Sequence, residues 1–212
     1  MFGAPGSGKG TQTAMLAKKF GIPAISTGNL LRQEVKNDTP LGRKVKMIIE
    51  SGRLVPQKIV NDLLSARLAE KDTAFGLVFD GYPRDERQNK FLIKKLKTLS
   101  GPDSRIVVIY IFVSDAEIKR RLSGRRICQC GATYHLLYQP PEKKNICDRC
   151  GRELVRRRDD QPAVITHRLK IYHKESAPVI DYWRRAGRLI KIDGKKPIRE
   201  VSREIIKSFK FL

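Results

Sequence analysis

The chain has 212 residues, 40% hydrophobic and 31% charged, a balance that fits one globular core with smaller inserted modules and argues against a disordered or membrane-spanning chain. No apolar run approaches the roughly 20 residues that a membrane helix needs. The net charge of +22, from 44 Lys plus Arg against 22 Asp plus Glu, implies a polyanionic partner, nucleotide or nucleic acid, although lysines scattered among apolar residues (Lys94, Lys95, Lys97, Lys195, Lys196, Lys207, Lys210) read as solvated faces.

In chain order, the first feature is Gly3-Ala4-Pro5-Gly6-Ser7-Gly8-Lys9-Gly10-Thr11. Gly3, Gly8 and Lys9 satisfy the phosphate-loop spacing G-x-x-x-x-G-K, and a helix follows at once. Glycines let backbone N–H groups approach phosphates, the helix start turns its positive end toward them, and Lys9 supplies a point charge. The position after the lysine is Gly10, with the hydroxyl delayed to Thr11. Only Met1 and Phe2 precede the loop, which leaves no room for a secretory leader, so a cytoplasmic location is expected. A phosphate loop hangs from a strand in the middle of its sheet, so the first strand is expected to be largely missing from this chain, with a true start several residues upstream.

Helical and β-branched segments then alternate. Thr11 to Phe20 is predicted as a helix closed by Gly21, Ile22 to Ile25 as a strand, Ile59 to Leu68 as a helix and Gly76 to Phe79 as a strand. Asp85 to Leu99 reads as a helix with Phe91, Leu92, Leu96 and Leu99 on one face, and Ile106 to Val113 as a strand buried on both faces. Arg188 to Ile192 and Ile198 to Phe209 complete the pattern as a last strand and a closing helix. This is an α/β fold, a parallel sheet flanked by helices. Two intervals break the rhythm. Around Asn29 to Pro56, turn residues punctuate short helical pieces, and Gly124 to Gln161 carries four cysteines and Pro140-Pro141.

The four cysteines, Cys128-x-Cys130 and Cys147-x-x-Cys150, have the two-pair arrangement of a structural zinc site. The first pair is one residue shorter than the usual C-x-x-C, so unligated or partly ligated thiols remain the alternative. Four thiolates would leave no open position, which makes such a metal stabilising and not catalytic. His135, between the pairs, reads as a packing or hydrogen-bonding residue.

The loop GAPGSGKGT, with STGNLLR at Ser26 to Arg32, GRLVP at Gly52 to Pro56, DGYPR at Asp80 to Arg84 and RRRDD at Arg156 to Asp160, resembles adenylate kinase over nearly the whole chain. The resemblance implies a P-loop nucleoside monophosphate kinase fold with a core of residues 1–25, 56–123 and 162–212, an AMP-binding insertion at 26–55 and a zinc-binding lid at 124–161. It implies reversible phosphoryl transfer from MgATP to AMP, giving two ADP, with Mg²⁺ as cofactor and ATP, AMP and ADP as partners. ATP would be held by Gly3 to Thr11 with Arg121, Arg125 and Lys196. AMP would be held by Thr27, Arg32, Arg53, Val55, Gly81, Arg84, Gln88, Arg157 and Arg168. Lys9, Arg84, Arg125, Arg157 and Arg168 would act on the phosphoryl group in flight, and Asp80 would hold magnesium through water. Asn29, Gln57 and Asp85 depart from the family pattern and put only local capping in doubt. A monomer is expected, with no membrane attachment, and the basic surface leaves room for nonspecific nucleic-acid contact. A kinase of another nucleoside monophosphate and a nucleic-acid-binding zinc ribbon are the rival readings.

Overall fold

The computed structural model describes residues 1–100 and 106–209. Helix α1 (Lys9–Phe20) starts two residues before the expected Thr11, because Gly8, with φ 94°, is already its N-cap. It ends where Gly21 turns left-handed and its N–H bonds to the Ala17 carbonyl. Strand β1 (Ala24–Ile25) leads into a helical hairpin of α2 (Thr27–Lys36) and α3 (Pro40–Glu50). Helix α3 has Pro40 in its first turn and Thr39 as N-cap, whose hydroxyl accepts from the Gly42 N–H at 2.9 Å, a start signal visible in the sequence. The hairpin packs backbone to backbone: a Cβ on Gly42 would lie 2.1 Å from the Glu34 carbonyl oxygen.

Helix α4 (Gln57–Leu68), strand β2 (Val78–Phe79), helix α5 (Glu86–Ser100) and strand β3 (Val108–Phe112) follow in the expected order, and helix α6 (Asp115–Gly124), not among the predicted elements, comes after them. Helix α5 buries Leu92 and half-buries Phe91 and Leu96. The Leu99 side chain expected beside them, and Lys210, lie outside the described residues. Asp85 keeps a capping role despite its unusual identity, since its carboxylate accepts from the Gln88 N–H at 2.8 Å. Strand β3 is buried at Val108, Ile109 and Ile111, but Phe112 is exposed at its end, with the Lys191 ammonium over its ring. Burial on both faces therefore holds only for the middle of that strand.

The cysteine-bearing interval contains a small antiparallel pair, β4 (Arg125–Ile127) and β5 (Thr133–His135). The chain then returns through α7 (Pro162–Ile171), a wide π turn (Tyr172–Ser176), α8 (Ala177–Arg185), strand β6 (Leu189–Asp193) and α9 (Ile198–Ser208).

Strands β1 and β2 pair in parallel, as do β3 and β6. Met1 and Phe2 lie between these two pairs. The Met1 amino group donates to the Phe79 carbonyl at 2.9 Å, and the Gly81 N–H donates to the Met1 carbonyl at 3.3 Å. On the other side, Phe2 N–H donates to Ile109 O at 2.6 Å, and Ile111 N–H donates to Phe2 O at 2.9 Å. The central position of the sheet is thus held by two residues, which run parallel to β3.

Apolar clusters hold the helices to both sides of this sheet. One joins Leu16, Ile111, Ile118, Leu122, Val201 and Ile205, and another joins Ile25, Val45, Val60, Leu64 and Tyr82. Each such aliphatic side chain removed from water contributes about 1.5 to 3 kcal/mol. Trp183 closes a third cluster with Phe2, Val108, Val179 and Ile180. Among the described residues no helix is long and apolar enough to cross a membrane.

Candidate active site

The phosphate loop lies across the C-terminal ends of the strands, where an open parallel sheet places its ligand crevice. Gly3 has φ 147°, and a Cβ there would lie 2.6 Å from the Ile111 carbonyl oxygen. Only glycine lets the loop leave the sheet so close to β3. Lys9 bends back over the loop and donates to the carbonyls of Gly3 at 2.7 Å and Ala4 at 2.8 Å. Burial pushes its ammonium from 10.5 down to about 8; Asp80 opposes that shift, and Arg84, Arg168 and Arg125 reinforce it. Asp80 stands at the end of β2, its N–H bonded to the Ile25 carbonyl at 2.8 Å. A Cβ added to Gly10 would lie 3.4 Å from its Oδ2, so the small residue after the lysine leaves that carboxylate space beside the loop.

Facing the loop is a cavity lined by Thr27, Gly28, Arg32, Arg53, Val55, Arg84, Gln88, Asp159 and Arg168, among others. Seven of the nine residues expected to hold AMP therefore meet around one space. Gly81 lines the adjoining cavity with Lys9, and Arg157 stands behind, paired to Asp159. The Arg32 and Arg84 guanidiniums converge over Gly28: a Cβ on that glycine would lie 3.1 Å from Arg32 Nη1 and 3.2 Å from Arg84 Nη2. Burial lowers the pKa of Arg32 and of Arg84, with neighbouring Arg157 acting in the same direction on both. Guanidiniums remain charged at neutral pH; the shifts record mainly the loss of hydration, with Asp159 opposing it at both groups and Asp80 opposing it at Arg84. An anion placed between the two forks would offset that loss. Gln88 is buried, and its Oε1 accepts from the Arg84 N–H at 2.9 Å.

Over this cavity hang Arg125, Arg157 and Arg168, each paired with a carboxylate. Arg125 grips Asp160 in a two-pronged contact at 2.7 and 2.5 Å, and Arg157 grips Asp159 at 2.8 and 2.5 Å. Arg168 reaches Asp159 Oδ2 at 3.1 Å and Asp160 Oδ1 at 3.3 Å. Burial opposes ionisation of Asp159, but Arg168, Arg157 and Arg125 together hold its carboxyl below the usual range. Asp160 is fully buried. Sequence reasoning assigns neither aspartate a role, and the RRRDD run is the only signal that points to them. Arg121 lies further along, donating to Glu117 and to the Gly194 carbonyl, both at 2.8 Å. Lys196 is engaged with Glu204.

The four cysteine sulfurs lie within 4.8 Å of one another, Cys128 to Cys150 at 3.3 Å and Cys130 to Cys147 at 3.6 Å. Thiolates around a tetrahedral zinc with Zn–S near 2.3 Å stand about 3.8 Å apart, so the set fits that ion despite the shortened first pair. The turn still closes, with Gly131 N–H donating to Cys128 O at 3.0 Å and Cys128 N–H donating to Ala132 O at 2.9 Å. His135 is not part of the sulfur cluster; its Nδ1 accepts from the N–H groups of Leu137 and Tyr138.

A phosphate loop on a parallel α/β sheet, facing a second cavity whose arginines converge, defines a P-loop nucleoside monophosphate kinase. The adenylate kinase family model matches residues 1–188. The chain is 43% identical over 209 residues to an adenylate kinase of Caldicellulosiruptor bescii, covering 98% of this chain and 96% of that protein. It is 44% identical over 207 residues to one from Methanothrix thermoacetophila, covering 98% and 95%. This chain belongs to the adenylate kinase family and is a phosphotransferase.

Proposed function

We propose that the chain transfers the terminal phosphate of MgATP to AMP, giving two ADP, with the roles divided between the two cavities. The observation that carries this reading is the convergence of Arg32 and Arg84 over Gly28, opposite the phosphate loop. A monophosphate between those forks would face the outer phosphates cradled by Gly3 to Thr11. Thr27, Arg53 and Val55 would wall the AMP base and ribose, and Gly81 would pass close to its phosphate. With Gln88 Oε1 held by Arg84, the Gln88 amide nitrogen is the group left to donate to a ring nitrogen of adenine.

No side-chain nucleophile is needed, because an oxygen of the AMP phosphate attacks the γ-phosphorus as the bond to the ADP leaving oxygen breaks. Lys9, Arg84, Arg125, Arg157 and Arg168 stabilise the charge in transit. Arg125, Arg157 and Arg168 are held ready by Asp159 and Asp160, which keep the cluster charged and ordered before nucleotide arrives. Arg121 and Lys196 border the ATP side. Asp80 would hold magnesium through its waters, the ion supplying neutralisation of the outer phosphates. We divide the chain into a core of 1–25, 56–123 and 162–212, an AMP-binding insertion of 26–55 and a lid of 124–161 stapled by zinc at Cys128, Cys130, Cys147 and Cys150. Closure of the lid excludes water that would otherwise accept the phosphate. A reducing cytoplasm would keep those thiols available for metal.

The test is ADP formation from ATP with AMP, UMP, CMP or GMP as acceptor. AMP should be preferred by at least about tenfold in kcat/KM, on the order of one well-made contact. Equal use of all four would overturn the assignment.

A further inference from the structure

The π turn at Tyr172–Ser176 has no part in the roles assigned above, yet it reaches Arg84 in the segment between β2 and α5. Ser176 is buried, and its hydroxyl donates to the Arg84 carbonyl oxygen at 2.8 Å, across 92 residues of sequence. A serine inside a helix ordinarily turns back on its own preceding turn. Here its one proton is used on the backbone of an arginine that lines the AMP cavity.

The wide turn makes this reach possible. At 3.6 residues per turn, the step from Arg168 to Ser176 would sweep about 800°, leaving Ser176 about 80° out of line with Arg168. A segment with i→i+5 bonds winds more slowly and brings Ser176 back to that face. Arg168, Ile171, Tyr172 and Ser176 accordingly line the same cavity as Arg84 and Lys9. A single helical rod thus carries Arg168, bonded to the Asp159 carbonyl at 2.9 Å, and Ser176, bonded to Arg84.

Arg84 is fastened at both backbone polar groups and at its side chain. Its N–H donates to Gln88 Oε1 at 2.9 Å, its Nε donates to the Gly81 carbonyl at 2.9 Å, and its carbonyl accepts from Ser176. Further along α8, Trp183 Nε1 donates to the buried Asn89 Oδ1 at 2.9 Å, so the same rod holds the start of α5 as well.

We propose that Ser176 is a positioning residue for AMP binding: its hydroxyl, delivered by the π turn, sets the backbone of Arg84 and hence the direction of the guanidinium. This rests on the reading of Arg84 as an AMP-phosphate ligand. Its hydrogen bond goes to Arg84 and to no group of the phosphate loop, so its effect on substrate affinity falls on AMP, and any change in kcat follows from the part Arg84 takes in the transfer.

The test is steady-state kinetics of Ser176→Ala, Ser176→Thr and Arg84→Lys with each substrate varied in turn. Loss of one buried hydrogen bond predicts that Ser176→Ala raises KM for AMP about five- to tenfold, with KM for ATP within about twofold of the parent, and that Ser176→Thr restores the parent value. Equal changes in both KM values, or a lowered melting temperature with both KM values unchanged, would overturn the proposal. If Arg84→Lys raises KM for AMP while Ser176→Ala does not, the positioning role fails and the AMP site stands. If Arg84→Lys leaves KM for AMP unchanged, both fail. Should Ser176→Ala not fold, Ser176→Cys, nearly the same size and a weak donor, gives the same contrast through calorimetric binding of AMP and ATP.

Discussion

Lys9 offers a proton count that reports directly on the phosphate loop. Burial lowers its ammonium from 10.5 to about 8. At 1.36 kcal/mol per unit this represents about 3 kcal/mol of unfavourable charge burial, an upper figure because the residue is only half-buried. The sign follows from linkage. Between pH 8 and 10.5 the unfolded chain holds the proton that the folded one has lost, so this cost burdens the protein below pH 8 and is relieved as pH rises through that window.

Triphosphate oxygens beside the ammonium should restore its ordinary pKa. ATP binding at pH 9 then takes up about 0.9 proton, and almost none at pH 6.5; the Kd for ATP weakens about 30-fold between pH 7 and 9.5. Calorimetry in two buffers of different ionisation enthalpy measures the uptake. Lys9→Arg, charged throughout this range, should bind with no such uptake. An uptake at pH 9 below about 0.3 proton in the parent, or one that persists in Lys9→Arg, would show that Lys9 is not the group that titrates.

Lys9→Ala should lower ADP formation by about 10³-fold or more, since positioned charge is most of what this reaction requires; a coupled assay measures it. Asp160→Ala should destabilise the protein by about 3 kcal/mol, because Arg125 would lose its carboxylate partner while Arg168 keeps Asp159, as urea denaturation will show. Nucleotide should recover part of that loss, its phosphates replacing the missing charge. Chelation should remove one zinc per chain, measurable by atomic absorption, and lower the melting temperature by on the order of 5 °C or more, with Cys130→Ser giving a similar loss without chelator.

Much of the site is legible in the sequence because its parts are local. Gly3, Gly8 and Lys9 form a loop whose conformation depends on contiguous residues, and Gly21 ends α1 by its own left-handed geometry. Thr27, Arg32, Arg53, Val55 and Arg84 each lie in short runs recognisable as written, Gln88 follows from the family resemblance alone, and all six gather around one cavity. The four cysteines are visible by spacing, but the closure of the short Cys128-x-Cys130 turn is not, since it depends on the bond from Cys128 N–H to Ala132 O.

By itself, then, the sequence determined the α/β alternation, the phosphate loop, the two irregular intervals and the residue types that meet phosphate. These are properties of neighbouring residues: helical periodicity, turn chemistry and charge. Packing of distant elements decided that Asp159 and Asp160 pair with three arginines, that Gly28 sits between two guanidiniums, that two residues are enough to bridge the strand pairs at the centre of the sheet, and that Ser176 reaches Arg84. Each of these joins groups from separate elements whose distance is set by packing. A side chain such as Ser176 carries no mark of its partner in its own neighbourhood, because the partner is chosen by how a π turn rotates one helix against a loop 92 residues away.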